Sequence, residues 1–278
     1  MTASLLLTIK QWIRAILRRG GFEVVHRTGD PVLRELRMMH ETLRFVPQED
    51  LRWDDSLPQL AAHAHLRHLL ATQRIDLVVD VEANCGQFAR LVRTLGFTGD
   101  IVSFEPLARF QNELRAAADD DGRWRFLSVA LGRTPGECDL HVYQDHTFSS
   151  LHQINAAGQD RFTNLVTELR VERVSVRTLD QLWLALGGDD SRRVLLKTDT
   201  QGHDLEVLAG AVGVLQRTHA VVTEASFRPI YDDTSGFFVL AEWLRTHGFS
   251  PSGLFPNSHR QEDLALIEID AFFTKSDA

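Results

Sequence analysis

Cysteine is nearly absent from this chain of 278 residues, which carries Cys85 and Cys138 and no others. The pair makes neither a disulfide framework nor a metal-ligand spacing, and a reducing cytoplasm is the expected setting. Long apolar runs are also missing. No stretch of 18 or more apolar residues occurs, so nothing in the sequence is expected to span a membrane. Basic residues are outnumbered, 30 Lys and Arg against 38 Asp and Glu, for a formal charge of -8. A nucleic-acid binder needs a basic stripe to neutralise phosphates, so nucleic acid is excluded as a partner. What remains, 44% hydrophobic and 24% charged, is ordinary globular composition. The length suits one large domain, alone or with an appendage.

The N-terminal stretch "SLLLTIKQWIRAILRRGGF" places Leu5, Leu6, Ile9, Trp12, Ile13, Ile16 and Leu17 on one helical face. Lys10, Arg14 and Arg18 fall opposite, and Gly20-Gly21 ends the pattern. It lacks the cleavage site of a signal peptide. Two roles stay open for residues 5–19: docking on the protein's own core, or peripheral contact with an anionic membrane surface. "PVLRELRMMHETLRFV" and "LPQLAAHAHLRHLLATQ" continue the helical spacing, so residues 1–73 read as a helical extension. His63, His65 and His68 lie there, but only His65 and His68 share a face, which argues against a zinc site.

From residue 74 the pattern alternates. The β-branched runs "LVVDV", "DIVSFEP", "RFLSVAL", "RVLLKTDT" and "AVVTEAS" are separated by helix-like "GQFARLVRTLG", "RFQNELRAAADDDG", "DLEVLAGAVGVLQ" and "FFVLAEWLRTHGF". "GECDLHVYQ" and "RVERVSVRTLD" read as shorter strands around a polar loop, and "QEDLALIEIDAFFTK" as one or two final strands. Strands separated by helices of this length make βαβ units, so residues 74–278 are expected to form a doubly wound α/β domain with helices on both faces.

In such sheets ligands sit beyond the carboxyl ends of the strands. The first strand-loop-helix, "LVVDVEANCGQFARLV", has Gly86 as its single glycine. A dinucleotide loop needs three as G-x-G-x-x-G, and a P-loop needs GK[ST], so NAD and ATP are poor candidates. S-adenosylmethionine, with no phosphate but a sulfonium, an ammonium group and ribose hydroxyls, has other needs. Asp80 would accept hydrogen bonds from its ammonium group or from loop amides. Glu105, ending the next strand, would take the ribose hydroxyls.

These residues are recognisable. "VDVEANCGQF" followed by "IVSFEP" resembles the FkbM-type family of S-adenosylmethionine-dependent methyltransferases, whose usual loop is D-V-G-A-N-x-G. The resemblance runs on through "RFLSVALG", "SSL", "VSVRTLDQL", "LLKTDTQGHDLEVLAGA", "EASFRPIYDD" and "IDAFF". It implies a Rossmann-like class I methyltransferase sheet and S-adenosylmethionine as cofactor. It places cofactor contacts on Asp80, Asn84, Gly86, Phe88, Glu105 and Pro106, with Ala130 and Leu131 near the adenine. It also implies methylation of a hydroxyl, often on a sugar, a glycolipid or a glycosylated metabolite. Glu82 departs from the family glycine. If the backbone there is left-handed, glutamate adds about 1 kcal/mol of strain. Its carboxylate would then either lie near the cationic cofactor or obstruct the pocket.

For the chemistry, "LLKTDTQGH" supplies Lys197, Asp199, Gln201 and His203, and "VVTEASF" supplies Glu224. Asp199 is the leading candidate for base or acceptor-orienting group, against a helix-cap role for it. His203 has a side chain suited to proton transfer. Asp199 and Glu224 at adjacent strand tips would suit a shared divalent cation, with mutual hydrogen bonding as the alternative. Lys197 is expected to pair with a carboxylate. Ser149 and Ser150 resemble the family's serine pair over the cofactor or acceptor, and Arg228 and Tyr231 are candidates to line the acceptor site. A non-catalytic binding protein and an NAD-dependent oxidoreductase are the rival readings. Acceptor identity and oligomeric state are not legible.

Overall fold

The structure is a computed structural model that describes residues 56–260 and 262–275. The expected helices in residues 1–55, with both roles of residues 5–19, lie outside the described residues. Among the described residues, ten strands form two sheets. The larger is built from β1 (Leu77–Val81), β2 (Asp100–Phe104), β3 (Trp124–Leu127), β7 (Val194–Thr198), β8 (Thr218–Ser226), β9 (Phe249–His259) and β10 (Leu266–Lys275), in the order β3-β2-β1-β7-β8-β10-β9. All neighbours are parallel except β10, which runs antiparallel to both β8 and β9. The order reverses beside β1, so the loops after β1 and β7 open onto the switch point.

β1 and β7 are buried along their whole length. Both faces of the sheet are covered, which is why these strands read as continuous apolar runs. One face carries α1 (Ser56–Thr72), α2 (Gln87–Thr94) and α3 (Gln111–Asp121), whose Leu66, Leu69, Val92 and Leu114 pack with Val78, Ile101, Leu195 and Phe272. The other carries α5 (Leu179–Leu182), α6 (Asp204–Ala209), α7 (Val212–Leu215) and α8 (Phe237–Thr246), packed on Val79, Phe104, Leu196 and Val221. α1 therefore belongs to the same core as the sheet.

The run "RFLSVAL" divides: β3 stays in the main sheet, and β4 (Ala130–Leu131) joins β5 (Gly136–Tyr143) and β6 (Glu168–Arg177) in a three-stranded sheet. Between β5 and β6 lie the polar loop and a short helix, α4 (Ala156–Arg161). The helix read over "DLEVLAGAVGVLQ" is two short ones, broken at Gly210, where a Cβ would stand 2.0 Å from the Gly132 carbonyl oxygen. β9 was not expected. Its Pro251 and Pro256 suppress the strand signal, and it is tolerated as the edge strand. Among the described residues, no helix is long and apolar enough to cross a membrane.

Candidate active site

The β1–α2 loop is held in an uncommon backbone. Glu82, Asn84 and Gly86 all have positive φ, of 60°, 50° and 86°. Three hydrogen bonds fix it: Ala83 N–H to the Phe104 carbonyl (2.9 Å), Gly86 N–H to the Ala83 carbonyl (2.7 Å), and Asn84 N–H to Glu105 Oε2 (2.8 Å). The left-handed backbone anticipated at Glu82 is present.

Beneath the loop runs a polar chain that crosses the sheet. Trp124 Nε1 donates to Ser103 Oγ (3.0 Å), and Ser103 Oγ donates to Asp80 Oδ2 (3.2 Å). Lys197 Nζ lies 3.2 Å from Asp80 Oδ1 and 3.6 Å from Asp199 Oδ2. It also donates to the carbonyls of Val81 (3.3 Å) and Glu82 (3.1 Å). The strand registers explain the juxtaposition, since Asp80 stands opposite Ser103 on β2 and Lys197 on β7. Burial opposes the charge on Lys197, but Asp80 and Asp199 outweigh it and hold the ammonium pKa above its ordinary value. For Asp80, burial raises the pKa and Lys197 and Ser103 pull it back. Asp80 is 0% exposed. It touches neither loop amides nor the open cavity, contrary to the expectation that it would take a ligand ammonium, and acts on the site through Lys197.

From Asp199 the chain continues through Gln201, whose backbone φ is 50°. Its Nε2 donates to Asp199 Oδ1 (3.1 Å) and to Glu224 Oε2 (3.0 Å), while Oε1 accepts from the Tyr231 hydroxyl (2.9 Å). Asn257 Nδ2 donates to the other Glu224 oxygen at 2.5 Å. Asp199 and Glu224 are thus brought together by a shared amide. Among the described residues, no group of three or more His, Cys, Asp or Glu is arranged to hold a metal. Asp199 does not cap the helix that follows; Asp204 accepts from Thr200 N–H instead (3.2 Å).

Above these groups lies a cavity of about 460 Å³, within the range of ligand sites. Among the described residues, five carboxylates reach its wall, from Glu82, Glu105, Asp199, Glu224 and Asp270, with Lys197 as the cation. Phe88, Asn84 and Ser149 join them, and α1 closes the side with Gln59, Ala62, His63 and Leu66. Each Glu105 oxygen accepts one backbone amide, from Asn84 or Leu107, both at 2.8 Å. A carboxylate oxygen has two lone pairs, so each keeps one for a ligand hydroxyl. Burial raises the Glu105 pKa to about 7, against the lowering effect of those amides. Burial, with the neighbouring carboxylates, also lifts Glu82 and Glu224 well above the usual range and Asp270 to about 6.

The remaining expected residues divide. Pro106, Ala130, Leu131 and His203 line a narrow cleft beside the cavity, which Glu82 also borders. His203 Nδ1 lies 3.0 Å from His152 Nε2, and burial lowers its pKa to about 4. That places this candidate for proton transfer apart from Asp199 and Glu224. Ser150 Oγ donates to the Gln201 carbonyl (2.8 Å), which ties the serine loop to the β7 loop. Gly86 is buried under the loop, where a Cβ would meet Trp124 Cη2 at 2.7 Å. Tyr231 buttresses Gln201 from outside the cavity, and Arg228 is exposed away from it. Asp270 and the α1 wall were missed. Asp270 is opposite Glu224 in the β10–β8 register, a pairing that no local pattern reveals.

A seven-stranded sheet of this order with a reversed β10, and a cavity over β1 and β7, is a Rossmann-like class I methyltransferase fold. The sequence matches the Methyltransferase FkbM domain over residues 80–251, and the chain belongs to that family. Among solved structures it is similar to a methyltransferase FkbM from Methylobacillus flagellatus KT, at 15% identity and TM-score 0.45, over 71% of this chain and 43% of that one. The chain thus spans less than half of that protein. It is also similar to magnesium protoporphyrin IX methyltransferase from Synechocystis PCC 6803 with bound S-adenosylmethionine (10% identity, TM-score 0.43, 80% and 81% covered). A third likeness is to a Burkholderia thailandensis 1,6-didemethyltoxoflavin-N1-methyltransferase with bound S-adenosylhomocysteine (13% identity, TM-score 0.42, 91% and 94% covered). No curated protein matches the sequence.

Proposed function

We propose that this chain is a cytoplasmic S-adenosylmethionine-dependent O-methyltransferase whose acceptor is a sugar hydroxyl on a glycolipid, a polysaccharide or a glycosylated metabolite. The observation that carries the cofactor reading is the charge of the cavity. Five carboxylates face it, and its lysine is held by the buried Asp80. Such a wall suits a ligand bearing a sulfonium and an ammonium group, which favours the charged form of carboxyls whose pKa values are raised in the empty site, better than it suits a phosphate-bearing cofactor. The free lone pairs of Glu105 suit a ribose diol, and the family membership agrees with both.

When bound, S-adenosylmethionine supplies the electrophilic methyl group. The chain's own residues then orient an acceptor and take up its proton. Asp199 suits this work, a reading supported by its 40% exposed side chain at the cavity wall. Lys197 and Gln201 fix its two oxygens, so it is oriented before the acceptor arrives. Glu224 stands beside it, its two oxygens held by Gln201 and Asn257. The hydroxyl and carbohydrate assignment follows the family resemblance, supported by this polar lining of carboxylates and amides. A lipid-linked acceptor goes with the membrane role of residues 5–19.

Calorimetric titration with S-adenosylmethionine and S-adenosylhomocysteine tests the reading. Micromolar binding of both is expected, followed by transfer of labelled methyl to members of a methyl glycoside panel. Absence of binding would overturn the cofactor assignment, and would favour a non-catalytic binding protein whose cavity is spoiled by Glu82.

A further inference from the structure

Glu82 occupies a left-handed backbone position, φ 60°, where a β-carbon is unfavourable. The strain is held in place from outside: Lys197 Nζ grips its carbonyl at 3.1 Å, and the Ala83 amide is tied to Phe104. Its side chain borders both the main cavity and the adjoining cleft. Glu105 and Asp199 are the carboxylates that act on it most strongly, ahead of Asp204.

Of the other carboxylates that line the cavity, three have partners, while Asp270 on β10 has no hydrogen-bond or ion-pair partner among the described residues. Glu105 accepts two amides, Asp199 has Lys197 and Gln201, and Glu224 has Gln201 and Asn257. The Glu82 carboxylate has no hydrogen-bond or ion-pair partner among the described residues. A half-buried carboxylate among like charges is unfavourable, which raises its pKa in the empty site, and an arriving cation would favour its charged form. Among the described residues the cation that acts on it, Lys197, is directed to Asp80 and to the loop carbonyls. Glu82 does not fill the space, since about 460 Å³ stays open beside it.

We propose that the Glu82 carboxylate is a charge partner for the cationic centre of the cofactor, either its sulfonium or its amino-acid ammonium. The inference rests on the reading that the cavity binds S-adenosylmethionine. It assigns to the departure from glycine a gain in electrostatic attraction, rather than an obstruction.

Calorimetric titration of the full-length protein and its Glu82→Gln and Glu82→Gly variants, with S-adenosylmethionine and S-adenosylhomocysteine, tests it. Thermal melts of each variant report folding. Glu82→Gln keeps size and backbone and removes charge, and is expected to weaken S-adenosylmethionine binding about tenfold. If the partner is the sulfonium, S-adenosylhomocysteine binding stays as in the wild type. If it is the ammonium, both ligands weaken together. Glu82→Gly is expected to melt higher, through relief of strain, yet to bind no tighter than Glu82→Gln. Wild-type binding with an unchanged Glu82→Gln variant, or tighter binding by Glu82→Gly than by wild type, overturns the inference alone. If wild type and variants all fail to bind either ligand, the cofactor reading falls and this inference falls with it.

Discussion

Lys197→Met removes the ammonium that joins the two halves of the polar chain. Asp80 is 0% exposed, and Lys197 Nζ is its ionic partner at 3.2 Å. Removing one member of a buried pair leaves an uncompensated charge, at a cost of about 3–5 kcal/mol. The carbonyls of Val81 and Glu82 lose a donor as well, though both border the cavity loop where water can replace it. For a domain of this size the expected fall in melting temperature is about 10 °C. The loss has a pH signature. The orphaned Asp80 has a folded pKa above its unfolded value, so the variant regains stability as pH falls and Asp80 takes up a proton. The double variant Asp80→Leu/Lys197→Met buries no charge and is expected to recover most of the loss. Urea denaturation followed by circular dichroism, for both singles and the double, gives the coupling energy. A Lys197→Met variant within about 1 kcal/mol of wild type, or a double variant no more stable than it, would refute the reasoning.

Two further outcomes follow from the site. Burial lifts the Glu105 pKa from 4.5 to about 7; because the folded value is raised, the unliganded protein loses stability as pH rises from about 4.5 to 7, by about 3 kcal/mol. Glu105→Gln should flatten that dependence in melts across this range while abolishing cofactor binding in calorimetry. At Gly86, φ is 86° and a Cβ would stand 2.7 Å from Trp124 Cη2. Gly86→Ala should therefore cost about 2 kcal/mol in urea titrations, through backbone strain and overpacking together.

The sequence discloses the part of this molecule that depends on neighbours along the chain. β1 and β7 are legible because strands buried on both faces are continuously apolar, and the left-handed position of Glu82 because a glycine pattern marks it. The register between distant strands is another matter. Asp270 faces Glu224 only because β10 inserts antiparallel between β8 and β9, and β9 itself is masked by its prolines. His203 sits two residues beyond Gln201, yet the turn at Gln201 and Gly202, both with positive φ, carries it to a different cleft. Gln201 appeared as one polar residue among several. Its place as the shared donor to Asp199 and Glu224 depends on that same turn.

These details bear on why the cavity has its shape before any ligand enters. Positive φ occurs at Glu82, Asn84 and Gly86 on one side of Lys197, and at Gln201 and Gly202 on the other. Such residues persist only where surroundings over-determine them. Lys197 holds the Glu82 carbonyl, Glu105 holds the Asn84 amide, and Ser150 holds the Gln201 carbonyl. His146 Nδ1, 3.1 Å from Asn84 Nδ2, joins the serine loop to the β1 loop as well. The backbone that carries Glu82 and Gln201 is therefore held from outside, and Glu105, Asp199 and Glu224 are fixed by their own partners. A cationic ligand relieves the repulsion that the raised carboxyl pKa values record, and binding energy gained there needs little further ordering of the protein.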